Sequence, residues 1–252
     1  MKKTVVMLPA LFYALVSVAA AQQSPNAELC EGHGGAVARD RVAACTRLLT
    51  DPNYSAGRSA IYFDRGNVYD ELGQYRRAIQ DYGQAIALKP DDPNIYYNRG
   101  ITYKHLGQYT RAIQDYSQAI RLKPDYANAY NNRGNAYDHL GQYTRAIQDY
   151  SQAIRLKPDD ASTYNNRGWA YGSLRQYNSA IQDFDYAIQL DPKHVDAYSG
   201  RGYFYGKLGQ YKRGLQDLNA AIRLDPKNSD AYWGQSFRLR EAWPVQARIP
   251  RS

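Results

Sequence analysis

His105 and His139 stand at the head of one sentence written twice: HLGQYTRAIQDYSQAIRLKPD fills 105–125 and returns letter for letter at 139–159. Two imidazoles at equivalent places invite a metal pair. However, equivalent side chains on neighbouring packed helices lie roughly 10 Å apart, and one ion needs its ligands within about 2 Å. The two are therefore read as exposed helix-end residues. Cys30 and Cys45 are the chain's two cysteines. They could supply a thiolate or a Cys–His pair, but a disulfide between them would remove that chemistry. No glycine-rich phosphate loop or zinc-type spacing occurs, and the carboxylates recur with the 34-residue period, so context singles out no pair. This pattern points to no enzyme, no metal and no cofactor. Repetition itself is the remaining signal. Arg65, Arg99, Arg133, Arg167 and Arg201 each precede an aspartate by sixteen residues: Asp81, Asp115, Asp149, Asp183 and Asp217. Such arginines are expected to form structural ion pairs, because partly buried charges are usually paired. Asn98, Asn132 and Asn166 recur at the same period, each amide offering a donor and an acceptor together.

The elements that must position these groups follow from the period. Five units run 59–92, 93–126, 127–160, 161–194 and 195–228. Counting places within a unit, an aromatic stands fourth (Tyr62, Tyr96, Tyr130, Tyr164, Tyr198), Arg-Gly seventh and eighth, and Tyr eleventh (Tyr69, Tyr103, Tyr137, Tyr171, Tyr205). Spacings of three and four put these on one helical face. Leu-Gly-Gln-Tyr follows, as at 72–75, with the glycine suited to a left-handed helix end. A second amphipathic stretch then runs to a proline (Pro90, Pro124, Pro158, Pro192, Pro226) that limits its continuation. Each unit reads as a helix, a tight turn and a helix. Gly66 in the first helix and Ala78 and Ala85 in the second remove bulk where the backbones meet. A helical glycine costs about 1 kcal/mol relative to alanine, so its regular use implies a packing gain. One such hairpin buries too little to offset its ordering entropy, so the units must stack.

The pattern Tyr…Gly…Tyr…Ala…Tyr/Phe…Ala…Pro over 34 residues, with YNNRG and LGQY, resembles the tetratricopeptide repeat across about 170 residues. The resemblance implies an all-α, right-handed superhelical solenoid of helix–turn–helix hairpins. It also implies a concave groove lined by the first helices and a non-catalytic scaffold binding an extended peptide or protein segment there. Family groove places here carry Phe63, Asn67, Tyr97, Asn98, Asn131, Asn132, Asn135, Asn165, Asn166, Trp169 and Tyr203, with Trp233 beyond them. An asparagine ladder can bond a peptide backbone without reading its sequence, and Trp169, Tyr203 and Trp233 could add an apolar pocket. The carboxylate clamp of chaperone-binding relatives is not expected, because place two holds Asn94, Asn128 and Ser162. The turn glycine becomes Arg175 in the fourth unit, and the first alanine of the second helix becomes Gly214 in the fifth. Those two units are expected to pack more loosely.

Residues 1–21 read as a cleavable secretory signal peptide: Lys2 and Lys3, an apolar run to Val18, and Ala19-x-Ala21 before Gln22. A retained membrane anchor is the alternative, against which the run is short and carries Pro9. Export would place the chain in the periplasm or extracellular space of a Gram-negative bacterium and favour a Cys30–Cys45 disulfide. Residues 22–58 then form a degenerate end hairpin, 229–243 a closing helix and 244–252 a flexible tail. The net charge is +8, of which Lys2 and Lys3 carry two, while the unit at Ser59 is net acidic. An acidic protein partner or an anionic surface is expected, nucleic acid is not, and self-assembly into an envelope oligomer is the rival reading.

Overall fold

The computed structural model describes residues 25–32, 37–52, 54 and 57–227. The expected leader, closing helix and tail, and Trp233, lie outside the described residues. Twelve helices and no strands occur among the described residues, and they fall into two compact units, residues 1–123 and 124–252. The first holds α1 (Pro25–Glu31), α2 (Ala38–Thr50), α3 (Arg58–Glu71), α4 (Tyr75–Leu88), α5 (Pro93–His105) and α6 (Tyr109–Leu122). The second holds α7 (Ala127–His139), α8 (Tyr143–Leu156), α9 (Ala161–Ser173), α10 (Tyr177–Leu190), α11 (Val195–Lys207) and α12 (Tyr211–Leu224).

Local signals start and stop these helices. Asp92 caps α5 by accepting from the Asn94 amide at 3.0 Å, with Pro93 in the first turn. Asp160 caps α9 through Ser162 N–H and Thr163 Oγ1. The first helices close on Gly73, Gly107, Gly141 and Gly209, all at φ between 68° and 74°. At Gly73 the next amide, Gln74 N–H, reaches back to the Tyr69 carbonyl at 2.7 Å. This left-handed closure satisfies carbonyls that the helix end would orphan.

In the first unit, a Cβ added at Gly66 would lie 2.8 Å from the ring of Tyr82, and one at Gly100 would lie 2.7 Å from that of Tyr116. The second unit repeats the arrangement with Gly134 under Tyr150 and Gly168 under Phe184. Each ring is essentially fully buried. Beside each ring runs a two-pronged ion pair within one hairpin. Arg65 Nε and Nη2 donate to both oxygens of Asp81 at 2.7 and 2.8 Å. Arg99–Asp115, Arg133–Asp149, Arg167–Asp183 and Arg201–Asp217 form the same pair. The guanidinium of Arg65, Arg99 and Arg167 also lies between two tyrosines, with Arg65 over Tyr62 and Tyr69 at 5.7 and 5.8 Å. The remaining nitrogen reaches the second helix of the preceding hairpin: Arg65 to Thr46, Arg167 to Ser151 and Arg201 to Asp185.

The end hairpin α1–α2 is tied by a Cys30–Cys45 disulfide with Cα atoms 4.9 Å apart. Both cysteines sit in a core with Ala27, Ala44, Leu48 and Ile61. Closing a loop of this size contributes about 3 kcal/mol in the loop-entropy model. Thr46 on α2 receives Arg65, so this hairpin meets its neighbour through the same arginine contact that joins Arg167 to Ser151.

Neither expected loosening is found. Arg175 adopts φ 59° and closes its turn with the same backbone hydrogen bonds as the glycines. Its cost is the roughly 1–2 kcal/mol of a left-handed non-glycine residue. Gly214 lets α11 and α12 touch backbone to backbone, since a Cβ there would lie 2.8 Å from the Gly202 carbonyl oxygen. The missing methyl is taken up by closer approach.

Removing one member of a part-buried pair strands the other's charge, a cost of about 3 kcal/mol or more. Arg167→Met should lower the unfolding free energy by about 2–4 kcal/mol. Arg167→Met combined with Asp183→Leu should restore more than half of that in denaturant titrations. Equal loss in the single and double variants would show that the charges are not coupled.

Candidate functional site

Within each unit, first helices of neighbouring hairpins touch each other (α3–α5, α7–α9, α9–α11), and no such contact joins second helices among the described residues. The first helices therefore line the inner side of the stack in each unit, and their places two, five, six, nine, twelve and thirteen are the candidate binding face.

In the first unit that face is bonded to itself. Asn67 Oδ1 accepts from the Tyr82 hydroxyl at 2.8 Å and from Asn98 Nδ2 at 2.9 Å. Phe63 and Tyr97 at place five are half-buried and tilt against Tyr82 and Tyr116, with centroids 6.0 and 5.9 Å apart. They serve the core as much as the surface. Where place nine is Ile101, the buried Tyr116 hydroxyl has no hydrogen-bond partner. Beside this network opens a cavity of about 400 Å³, walled by Glu31, Asp64, Asp70 and Glu71 against Arg41 alone. Arg41 is already engaged by Glu71 at 3.1 Å and by the Cys30 carbonyl oxygen at 3.4 Å. Asp70 accepts from Thr102 Oγ1 at 2.6 Å, with His105 Nδ1 3.5 Å away. Burial pushes the Asp64 carboxyl up to about 6, nearby Glu31 adds to the rise, and Arg41 opposes it. The cavity is thus acidic in a basic chain.

The second unit is different. Tyr150 donates to Asn135 Oδ1 at 2.7 Å, and burial raises its phenol well above the usual range. Asn131, Asn165 and Asn166 are held only by long contacts: Asn166 Nδ2 to Asn131 Oδ1 at 3.4 Å and Asn165 Nδ2 to Asn166 Oδ1 at 3.5 Å. Asn165 Oδ1 and Ser199 Oγ are buried without a hydrogen-bond partner. Asn132 lies half-buried on α7. Trp169 is 38% exposed, its ring packed on Phe184, Phe204 and Tyr203 at centroid distances of 5.7, 5.4 and 6.2 Å. No group of three or more His, Cys, Asp or Glu side chains among the described residues could hold a metal ion.

Sequence reasoning missed that place nine serves place twenty-four in the first and third repeats, though not in the second, where Ile101 leaves the Tyr116 hydroxyl without a partner. Asn67 and Asn135 serve tyrosine hydroxyls, and where Trp169 replaces asparagine, Phe184 replaces tyrosine. That joint switch was the available signal.

Models of the TPR repeat match residues 66–107 and 103–138, and models of the tetratricopeptide repeat match 127–160, 161–194 and 184–216. The chain belongs to the tetratricopeptide repeat family. Among solved structures, a tetratricopeptide repeat protein from Parabacteroides merdae aligns at TM-score 0.72 and 18% identity, covering 90% of this chain and 87% of that one. YrrB, described as a TPR protein with an unusual peptide-binding site, aligns at TM-score 0.64 and 21% identity over 77% of this chain and 99% of its own. MamA aligns at TM-score 0.63 and 24% identity over 68% and 94%. At these identities the likeness speaks for the fold. No curated protein matches the chain.

Two predictions follow from the tetratricopeptide geometry. Tyr150→Phe should destabilise by about 1 kcal/mol, by removing a buried hydrogen bond. Tyr116→Phe, which deletes a hydroxyl without a partner, should be neutral or stabilising. Thermal melts of both decide it, and equal losses would refute the assignment. Asp64 works through pH. Its folded-state pKa lies above the unfolded value, so ionising it destabilises the fold above about pH 6. The cost vanishes as pH falls toward 4, where the folded chain holds a proton that the unfolded chain releases. Asp64→Asn should therefore stabilise by about 1 kcal/mol at pH 7.5, after discounting for solvent screening, and have little effect at pH 4. A gain equal at both pH values would contradict this.

Proposed function

We propose that this tetratricopeptide chain is a non-catalytic interaction scaffold that binds an extended protein segment on the inner faces of its first helices. The observation carrying this is the row of loosely held amides, Asn131, Asn165 and Asn166, which includes a buried acceptor without a partner. Buried polar groups are ordinarily satisfied, and a peptide backbone supplies the alternating donors and acceptors that such a row lacks. Family membership supports a protein partner, and YrrB's described peptide-binding site is in keeping with it. The leader-like start and the disulfide support residence in an oxidising compartment outside the cytoplasm.

The test is panning of the oxidised chain from Gln22 onward with random dodecapeptides. The wild type should retain a peptide set, and Asn131→Ala/Asn166→Ala should weaken its members at least tenfold with the helical circular dichroism spectrum intact. Failure to retain any peptide above blank matrix, or equal affinity in the variant, would refute the reading. Light scattering on the same samples should give a monomer without ligand, and concentration-dependent growth would favour self-assembly.

A further inference from the structure

We propose that α9 and α11 form a subsite for an aromatic side chain of the bound segment, with Trp169 as its floor and the Asn165, Asn166 and Asn131 amides taking the adjoining backbone. This rests on the peptide-binding reading above and adds what is recognised and where.

The chain supplies its own controls, because its repeats are near copies. Departures that accumulate at one spot mark a place where stacking alone does not dictate the residue. Four departures meet here. Place nine holds Asn67, Ile101 and Asn135 in the first three repeats, and the ring systems Trp169 and Tyr203 in the fourth and fifth. Place twenty-four changes from tyrosine to Phe184, so no hydroxyl is left without its asparagine. Place ten holds Val68, Thr102, Ala136 and Ala170 in four repeats but Phe204 in the fifth. Place twelve holds Asp70, Lys104 and Asp138 in the first three repeats but Gly172 and Gly206 in the last two, and a Cβ at Gly172 would collide with the Phe204 ring. Phe204 is therefore seated in the space that Gly172 leaves, stacked on Phe184 at 5.9 Å. It is 4% exposed, so it builds the support and not the surface. Together these changes hold the indole rigidly from behind while 38% of the residue stays open in front. A contact aromatic fixed before binding loses little side-chain entropy when a ligand arrives.

A second observation points to the same ligand. Place five holds aromatic residues in the first two repeats, Phe63 and Tyr97, but Asn131, Asn165 and Ser199 in the last three. The latter two lie one helical turn before Trp169 and Tyr203, on the same face. Asn165 is 7% and Ser199 6% exposed, and each carries a polar atom without a hydrogen-bond partner. Asn165 gives only a 3.5 Å contact to Asn166 and can turn its amide toward an arriving N–H at little loss. An aromatic plane beside an unsatisfied amide oxygen and an unsatisfied hydroxyl suits a peptide presenting a ring and its own backbone. The acidic cavity of the first unit lacks any such exposed ring.

The test uses unlabelled GSGSGFGSGSG and its Phe→Ser counterpart, titrated by NMR into the oxidised chain up to millimolar peptide. The wild type should bind the Phe peptide at least tenfold more tightly than the Ser peptide. The key variant is Trp169→Asn/Phe184→Tyr, which returns the fourth repeat to the asparagine–tyrosine pair of the first and third and is expected to fold. It should abolish the preference, as should Trp169→Ala, while Arg121→Ala, at an exposed residue of the second helix α6, should leave it unchanged. A preference surviving the double variant overturns the subsite. So does failure of both peptides to bind a chain that retains library dodecapeptides. If no dodecapeptide is retained, the peptide-binding reading itself fails.

Discussion

The chain's architecture depends on one repeated interaction, the guanidinium of place seven held by both oxygens of the aspartate at place twenty-three and flanked by tyrosine rings. Charge-assisted two-pronged bonds fix orientation as well as distance. The pair therefore locks the two helices of a hairpin in one register and aims a third nitrogen at the preceding hairpin. The glycine at place eight gains its purpose from this. With the clamp beside it, the first helix lies against the ring at place twenty-four, where a Cβ would not fit. Tyrosine suits such a thin layer because its ring is buried while its hydroxyl seeks a partner.

That hydroxyl links the packing of a hairpin to the composition of its inner face. When place nine is asparagine, the tyrosine hydroxyl donates to the amide's oxygen. The first unit goes furthest, with Asn67 serving Tyr82 and Asn98 at once. In the second unit the fourth repeat gives up this bond by changing both residues, and an indole takes the vacated face. The same position thus exchanges an internal hydrogen bond for an external surface. The glycine and phenylalanine exchanges nearby keep the packing dense while this happens.

The hairpins, their turns and the existence of the arginine–aspartate pairs were legible because they depend on periodicity, on glycine at positive φ and on a fixed sixteen-residue offset. Which aspartate each arginine takes was not legible, because its own and a neighbouring hairpin both offer carboxylates at plausible reach. The candidate site was less legible still. Phe63 and Tyr97 look like surface aromatics at place five but lean into buried tyrosines. Asn67, Asn98 and Asn135 look like free rungs, yet their partners stand fifteen or thirty-one residues away. The Asp64 cavity depends on Glu31 and Arg41 of an end hairpin whose match to the repeat is faint. A pattern of places cannot report whether a donor's demand is already met, and that decides which rungs are open.

The central claim is that the amides of the first unit are engaged internally and those around Trp169 are open to a ligand. Side-chain amide and indole NMR signals measure this directly, followed as GSGSGFGSGSG is added to the oxidised chain. The account predicts shifts at the Asn165 and Asn166 amides and the Trp169 indole N–H, with the Asn98 amide unmoved. Movement of Asn98 equal to that of Asn166, or a stationary Trp169 indole, would contradict it.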